Sequence, residues 1–158
     1  MNDWIALITD QHFGVRNNSQ VFLDYYFKFY DNVFFPKLEE YNILEIIDLG
    51  DTFDKRKSID FNILDQVKNR YFKKLLDREK TVHSIVGNHT AYYKNTNRVN
   101  TLNLLLKDFE NIVIYEDPEV ARINEKDVLL MPWINEENKD IAFDLLQQKH
   151  EYLSLIHI

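Results

Sequence analysis

Three apolar runs of strand length mark the N-terminal half of the chain, and each stops at a polar end: Trp4–Thr9 at Asp10-Gln11-His12, Leu44–Leu49 at Gly50-Asp51, and Thr81–Val86 at Gly87-Asn88-His89. Continuous runs of this kind predict strands buried on both faces. Between the first two, Asn17-Asn18-Ser19 is a helix-start signal, and Phe22, Tyr25, Tyr26, Phe29, Tyr30 and Val33 recur at three- and four-residue steps. The simplest reading of this aromatic stripe is a helix face packed on the sheet, with Pro36 kinking or restarting the helix before Tyr41. Ser58 or Asp60 caps a second helix, whose stripe is Phe61, Leu64, Val67, Tyr71 and Leu75. Strand, helix, strand, helix, strand predicts an α/β fold with a mostly parallel sheet and its loops on one edge. Further on, the pattern predicts a short helix over Leu102–Phe109, strands at Ile112–Tyr115, Val120–Ile123 and Val128–Met131, a helix near Asn138–Lys149, and a last apolar run, Tyr152–Ile158.

Composition narrows the class. A chain of 158 residues, 45% hydrophobic and 14% aromatic, suits one domain with a sizeable core and excludes disorder. No apolar run approaches the roughly 18 residues that span a bilayer, and the N-terminus lacks the pattern of a signal peptide. The absence of cysteine excludes disulfides and thiolate metal sites, and fits a cytoplasmic protein. A net charge of −7 argues against broad nonspecific nucleic-acid binding. It leaves room for a nuclease, because two bound divalent ions add about four positive charges where a phosphate sits.

The strand ends carry the candidate chemistry. If the strands are neighbours in one sheet, Asp10, His12, Asp51, Asn88 and His89 converge on one polar cluster. Asp10 and His12, at i and i+2, can reach a common ion from a turning backbone, and Gly14 lets the chain bend away behind them. The basic triplet Lys55-Arg56-Lys57 follows Asp51 closely. It is either a solvated loop or a grip on DNA phosphates.

These blocks resemble the calcineurin-like metallophosphoesterase superfamily, which reads Asp-x-His, Gly-Asp and Gly-Asn-His in this order. Gly50-Asp51-Thr52-Phe53-Asp54-Lys55-Arg56-Lys57, Ile85 to His89 with Tyr92-Tyr93-Lys94-Asn95, and Met131-Pro132-Trp133-Ile134-Asn135-Glu136-Glu137-Asn138 look like its double-strand-break-repair exonuclease branch, with the recombination endonuclease subunits of tailed phages most similar. The resemblance covers about residues 4 to 140. It implies a metallophosphoesterase-type sheet sandwich flanked by helices, and a DNA nuclease subunit acting in repair, recombination or phage DNA metabolism within the host cytoplasm. Asp10 and His12 would hold one metal ion, Asn88 the other, and Asp51 would bridge both. His89 would contact the phosphate or protonate the leaving oxygen. Two ions roughly 3.5–4 Å apart activate water and neutralise the phosphate. Oxygen and nitrogen ligands without sulfur favour Mn2+, with Fe2+, Mg2+ or Zn2+ as alternatives. DNA and a coiled-coil ABC-type ATPase are the implied partners, together with a possible homodimer.

The sequence departs from the family in two places. Thr90 follows His89 where the family carries an acidic residue, and the family's later Gly-His and Gly-x-His blocks are absent. Residues 1–158 therefore read as one nuclease domain incomplete at its C-terminus, expected to bind metal weakly and to be nearly inactive alone. His157 falls where the Gly-His histidine is expected and is a candidate further ligand, with Ile156 in place of the glycine. Two other functions keep parts of this reading: a metallophosphatase or small-molecule phosphodiesterase, and a non-catalytic DNA- or ATPase-docking subunit or inactive fragment.

Overall fold

The computed structural model describes residues 4–148 and 153–156. Strands β1 (Ala6–Ile8), β2 (Glu45–Asp48), β3 (Thr81–Ile85) and β4 (Ile112–Tyr115) form one parallel sheet in that order. Parallel neighbours require crossovers, and helices supply them. A short turn, α1 (Val15–Asn18), and helices α2 (Gln20–Phe29) and α3 (Phe35–Glu40) link β1 to β2. Helices α4 (Phe61–Val67) and α5 (Lys73–Asp77) link β2 to β3, and α6 (Thr101–Leu106) precedes β4. A second sheet pairs β5 (Glu119–Ile123) antiparallel with β6 (Lys126–Met131) and β6 parallel with β7 (Leu153–Ile156). Helix α7 (Lys139–Gln147) lies between β6 and β7 in the chain. Among the described residues no helix is long and apolar enough to cross a membrane.

The alternation of side chains along each strand assembles the layers. Ile46 and Val82 face the helices, meeting Phe27, Leu38, Val67 and Leu75. Their neighbours Ile47 and Ile85 face the second sheet, meeting Ile123, Val128 and Leu130. The outer face of that sheet is covered by α7, whose Ala142 packs with Leu129 and Met131. Each fully buried aliphatic or aromatic side chain in these layers contributes about 1.5–3 kcal/mol. Asp60 caps α4, accepting from the Asn62 and Ile63 N–H groups at 2.9 and 3.1 Å, and Asn100 caps α6 by accepting from Asn103 N–H at 2.8 Å, whereas Ser19 before α2 makes no side-chain cap bond.

Three expectations change. β1 is not buried on both faces: it forms an edge of the first sheet, and Leu7 is 52% exposed. The aromatic stripe splits, because Leu23, Phe27 and Tyr30 are buried while Phe22, Tyr25, Phe29 and Val33 face out, Tyr25 by 64%. Residues 21–35 carry apolar side chains on nearly every face, and a π-helical turn at Tyr30–Phe34 shifts the phase just ahead of Pro36, so spacing alone could not choose the inner side. Phe61, assigned to the inner stripe of the next helix, is 85% exposed, and Ile63 takes the buried place.

Beneath the C-terminal edge of the sheet lies a buried polar network. Asp48, the last residue of β2, accepts from Thr52 Oγ1 at 2.7 Å, Gly50 N–H at 3.1 Å, and Gln11 Nε2 and Ser84 Oγ at 3.2 Å each. Gln11 Oε1 in turn accepts from the Tyr30 hydroxyl at 2.8 Å. A single carboxylate thus ties the loops after β1 and β2 to β3 and, through Gln11, to the helix layer. Burial pushes the Asp48 carboxyl up to about 6 from 3.8, against the opposing pull of its Thr52, Gly50 and Ser84 donors. A carboxyl raised on folding adds stability in full below its unfolded value and loses it as pH rises through its folded value. In metal-free buffer, the stability advantage of the native chain over Asp48→Asn should therefore shrink between about pH 4 and pH 6 by on the order of 3 kcal/mol and then level off. Urea unfolding of both proteins across that range checks this, and a constant difference would contradict it.

Candidate metal centre

All four strands of the first sheet run the same way, so their C-terminal ends share one edge, where α/β folds place their ligands. The backbone pairing of β1 with β2 continues past the strands themselves. Asp10 N–H donates to Gly50 O at 3.2 Å, His12 N–H to Asp51 O at 2.9 Å, Phe13 N–H to Thr52 O at 2.9 Å, and Asp54 N–H to Phe13 O at 3.1 Å. The two loops are therefore a ladder rather than free segments. Within it Asp10, His12 and Asp51 hold left-handed backbone, with φ of 50°, 46° and 54°. Such a conformation costs a residue with a Cβ about 1–2 kcal/mol, and it persists only where surrounding bonds enforce it.

This backbone turns three side chains inward. One donor atom each from Asp10, His12 and Asp51 lies within 4.8 Å of the other two. His12 Nε2 stands 3.4 Å from Asp10 Oδ1, and its Nδ1 stands 3.5 Å from Asp54 Oδ1. That Nδ1 is buried and makes no hydrogen bond, a state that buried polar atoms rarely keep unless something else engages them. Two carboxylates and an imidazole at such spacing offer the oxygen and nitrogen donors that suit a divalent cation.

The third loop closes over Asp51. His89 N–H donates to Asp51 Oδ1 at 2.8 Å. Gly87 permits that approach, since a Cβ built there would lie 2.6 Å from Asp51 N and closer still to Asp51 Oδ1. Thr90, standing where an acidic residue was expected, is fully buried and locks the turn: its Oγ1 accepts from Gly87 N–H at 2.9 Å and donates to Gly87 O at 3.0 Å. The His89 ring is held from elsewhere. Its Nδ1 lies 2.7 Å from Asp54 O, and a carbonyl only accepts, so Nδ1 carries the hydrogen and Nε2 is left for a ligand. The ring meets that of His12 edge-on at 4.9 Å between centroids. Asn88 stands half-buried in the same loop, between Gly87 and His89.

The fold thus brings Asp10, His12 and Asp51 together and sets Asn88 and His89 beside them. The basic triplet fans out instead: Lys55 Nζ reaches Asn17 Oδ1 at 3.4 Å, Arg56 lies over the Trp133 ring at 4.8 Å, and Lys57 over the Tyr92 ring at 5.0 Å. His157 lies outside the described residues. The end of β4 adds no ligand to the cluster, because Glu116 is occupied by Asn100, Asn103 and Arg98. Three residues that sequence reasoning passed over support the site: Asp54, which flanks His12 and holds His89, and the buried pair Gln11 and Asp48. For Asp48 a signal was present, since a carboxylate inside an apolar strand is rarely buried without partners.

No protein-family model matches this chain. A stretch of 92 residues, 58% of the chain, is 35% identical to exonuclease subunit 1 of Enterobacteria phage T4. That stretch spans 27% of the length of the phage protein.

Proposed function

We propose that this chain carries the metal-binding part of a DNA nuclease subunit, of the calcineurin-like metallophosphoesterase kind and its double-strand-break-repair exonuclease branch. It would hydrolyse phosphodiester bonds in phage DNA metabolism, repair or recombination, in the cytoplasm of the host. The observation that carries this reading is the convergence of Asp10, His12 and Asp51 within 4.8 Å at the ends of parallel strands, with the His89 loop closed onto Asp51. Similarity to a protein named an exonuclease subunit supports DNA as the substrate and a second protein subunit as partner; the resemblance of the motifs makes that partner a coiled-coil ABC-type ATPase.

In this reading Asp10 and His12 would hold one divalent cation and Asn88 the other, and Asp51 would serve both. Mn2+ is the first choice for this donor set. When bound, the ions supply an activated water and neutralise charge on the phosphate. The chain's own groups do the positioning. Asp51 is fixed by the ladder on one side and by His89 N–H on the other, so little reorganisation is needed when a ligand arrives. With Nδ1 committed to Asp54 O, His89 presents Nε2 to the phosphate or, protonated, to the leaving oxygen. Lys55, Arg56 and Lys57 supply positive charge for neighbouring phosphates.

Calorimetric Mn2+ titration should find that Asp51→Asn weakens binding at both sites whereas Asp10→Asn weakens mainly one. Equal single-site losses would remove Asp51 from the bridging role. The reaction itself is tested by Mn2+-dependent cleavage of a double-stranded DNA end beside a generic phosphatase substrate, using this chain and a version extended through the Gly-His and Gly-x-His blocks. DNA cleavage with little phosphatase activity is expected of the extended version and near-inactivity of this chain alone, and the reverse preference would assign the site to phosphomonoesters. In the extended version His89→Ala should keep its metal content by elemental analysis while turnover falls roughly 10²–10⁴-fold. Loss of a metal in that variant would make His89 a ligand instead.

A further inference from the structure

Beside the metal cluster the same two loops build a second feature. Residues 55–58, directly after Asp54, and Tyr92, three residues after His89, border a cavity of about 380 Å³. Its apolar lining comes from Phe53, Ile59, Leu104 and Leu105. Phe61 and Tyr92 stand at its margin, 85% and 37% exposed, with Lys57 over the Tyr92 ring at 5.0 Å. The loops are held against the cluster, through His89 Nδ1 on Asp54 O at 2.7 Å and through Thr101 N–H on Thr90 O at 2.9 Å.

Three consecutive cations, Lys55, Arg56 and Lys57, border this cavity. In a chain of net charge −7, cations such as Lys37, Lys73, Lys74, Arg98 and Arg122 pair with carboxylates. Lys55, Arg56 and Lys57, consecutive and all lining the cavity, form no ion pair among the described residues. Arg56 Nη1 is moreover buried without a hydrogen bond. A cationic rim at an apolar, aromatic slot matches a ligand that places phosphate and a flat ring at adjacent positions. The volume lies at the small end for ligand pockets and suits one nucleoside rather than a duplex.

We infer that this groove takes one unpaired nucleoside of a single DNA strand, with its base against Phe61 and Tyr92 and its flanking phosphates on Lys55, Arg56 and Lys57. The inference rests on the nuclease reading and says where the substrate strand leaves the metal cluster. The aromatic rings would take a base of any identity, because every base offers a π face.

The test is binding of a short single-stranded oligonucleotide carrying one 2-aminopurine, compared with the same oligonucleotide abasic at that position, in EDTA so that no cleavage occurs. The native chain should prefer the base-bearing strand about tenfold or more, the scale of one base–aromatic stack, with quenched fluorescence. Phe61→Ala and Tyr92→Ala should each bring the preference close to one, and circular dichroism should show both folded, since both side chains are exposed. Equal binding of the two strands by the native chain overturns the inference, as does a preference that survives both substitutions. Self-association that competes with the oligonucleotide would assign the groove to a second copy of the chain and overturn it too. Metal-dependent cleavage without base preference would sink the groove and leave the nuclease reading standing, whereas base preference without cleavage in the extended version would do the opposite.

Discussion

Asp51 can occupy its place only because residue 87 has no side chain. The loop after β3 comes so near the backbone of Asp51 that a single added carbon would overlap it, and that proximity lets the His89 N–H reach Asp51 Oδ1. The placing of the third loop in the candidate centre depends on this approach. Without it, Asp51 would lose the His89 donor, and Asn88 and His89 would stand off from the ladder that holds Asp10, His12 and Asp51.

The approach is supported from below and from the side. Below, Asp48 collects donors from the loops after β1 and β2 and from β3, so the base of the site is one connected polar unit set in an apolar core. Buried networks of this kind are rigid when every member is satisfied and costly when one is missing. From the side, the ladder between residues 10–13 and 50–54 holds Asp10, His12 and Asp51 in left-handed backbone that they would not adopt alone. Strain gathered at three residues that share one cluster is the pattern expected of a preorganised site, where side-chain direction takes precedence over local comfort. Thr90 belongs to the same design, since it stiffens the turn that presents Asn88 and His89.

Much of this was legible in the sequence because strand ends are marked by abrupt changes of polarity. The runs stopping at Asp10, Asp51 and His89 marked the parallel sheet and the edge on which the candidate residues gather, and the strands Ile112–Tyr115 and Val128–Met131 followed from local pattern. What pattern could not give was the inner side of α2, where aromatic residues surround the helix and a π turn changes its phase. Nor could it place Phe61, whose outward position reflects the start of a helix rather than its stripe. In the candidate site, the residues that converge were readable and the groups that hold them were not. Asp54 acts partly through a backbone carbonyl, which leaves no trace in residue identity, and Gln11 acts through a side chain that only the packed fold sets against Asp48 and Tyr30. The basic triplet was readable as charge, whereas its splayed arrangement over Trp133 and Tyr92 depends on contacts distant in sequence.

The most direct test of this account is the Mn2+ affinity of Gly87→Ala, read by electron paramagnetic resonance of free and bound Mn2+ on a variant shown by circular dichroism to be folded. Alanine alters no candidate ligand, yet its methyl group would occupy the space now taken by Asp51. The account predicts Mn2+ binding weakened at least tenfold, approaching the loss expected of Asp51→Asn. A folded Gly87→Ala protein that binds Mn2+ as tightly as the native chain would show that the approach of the two loops does not organise the centre.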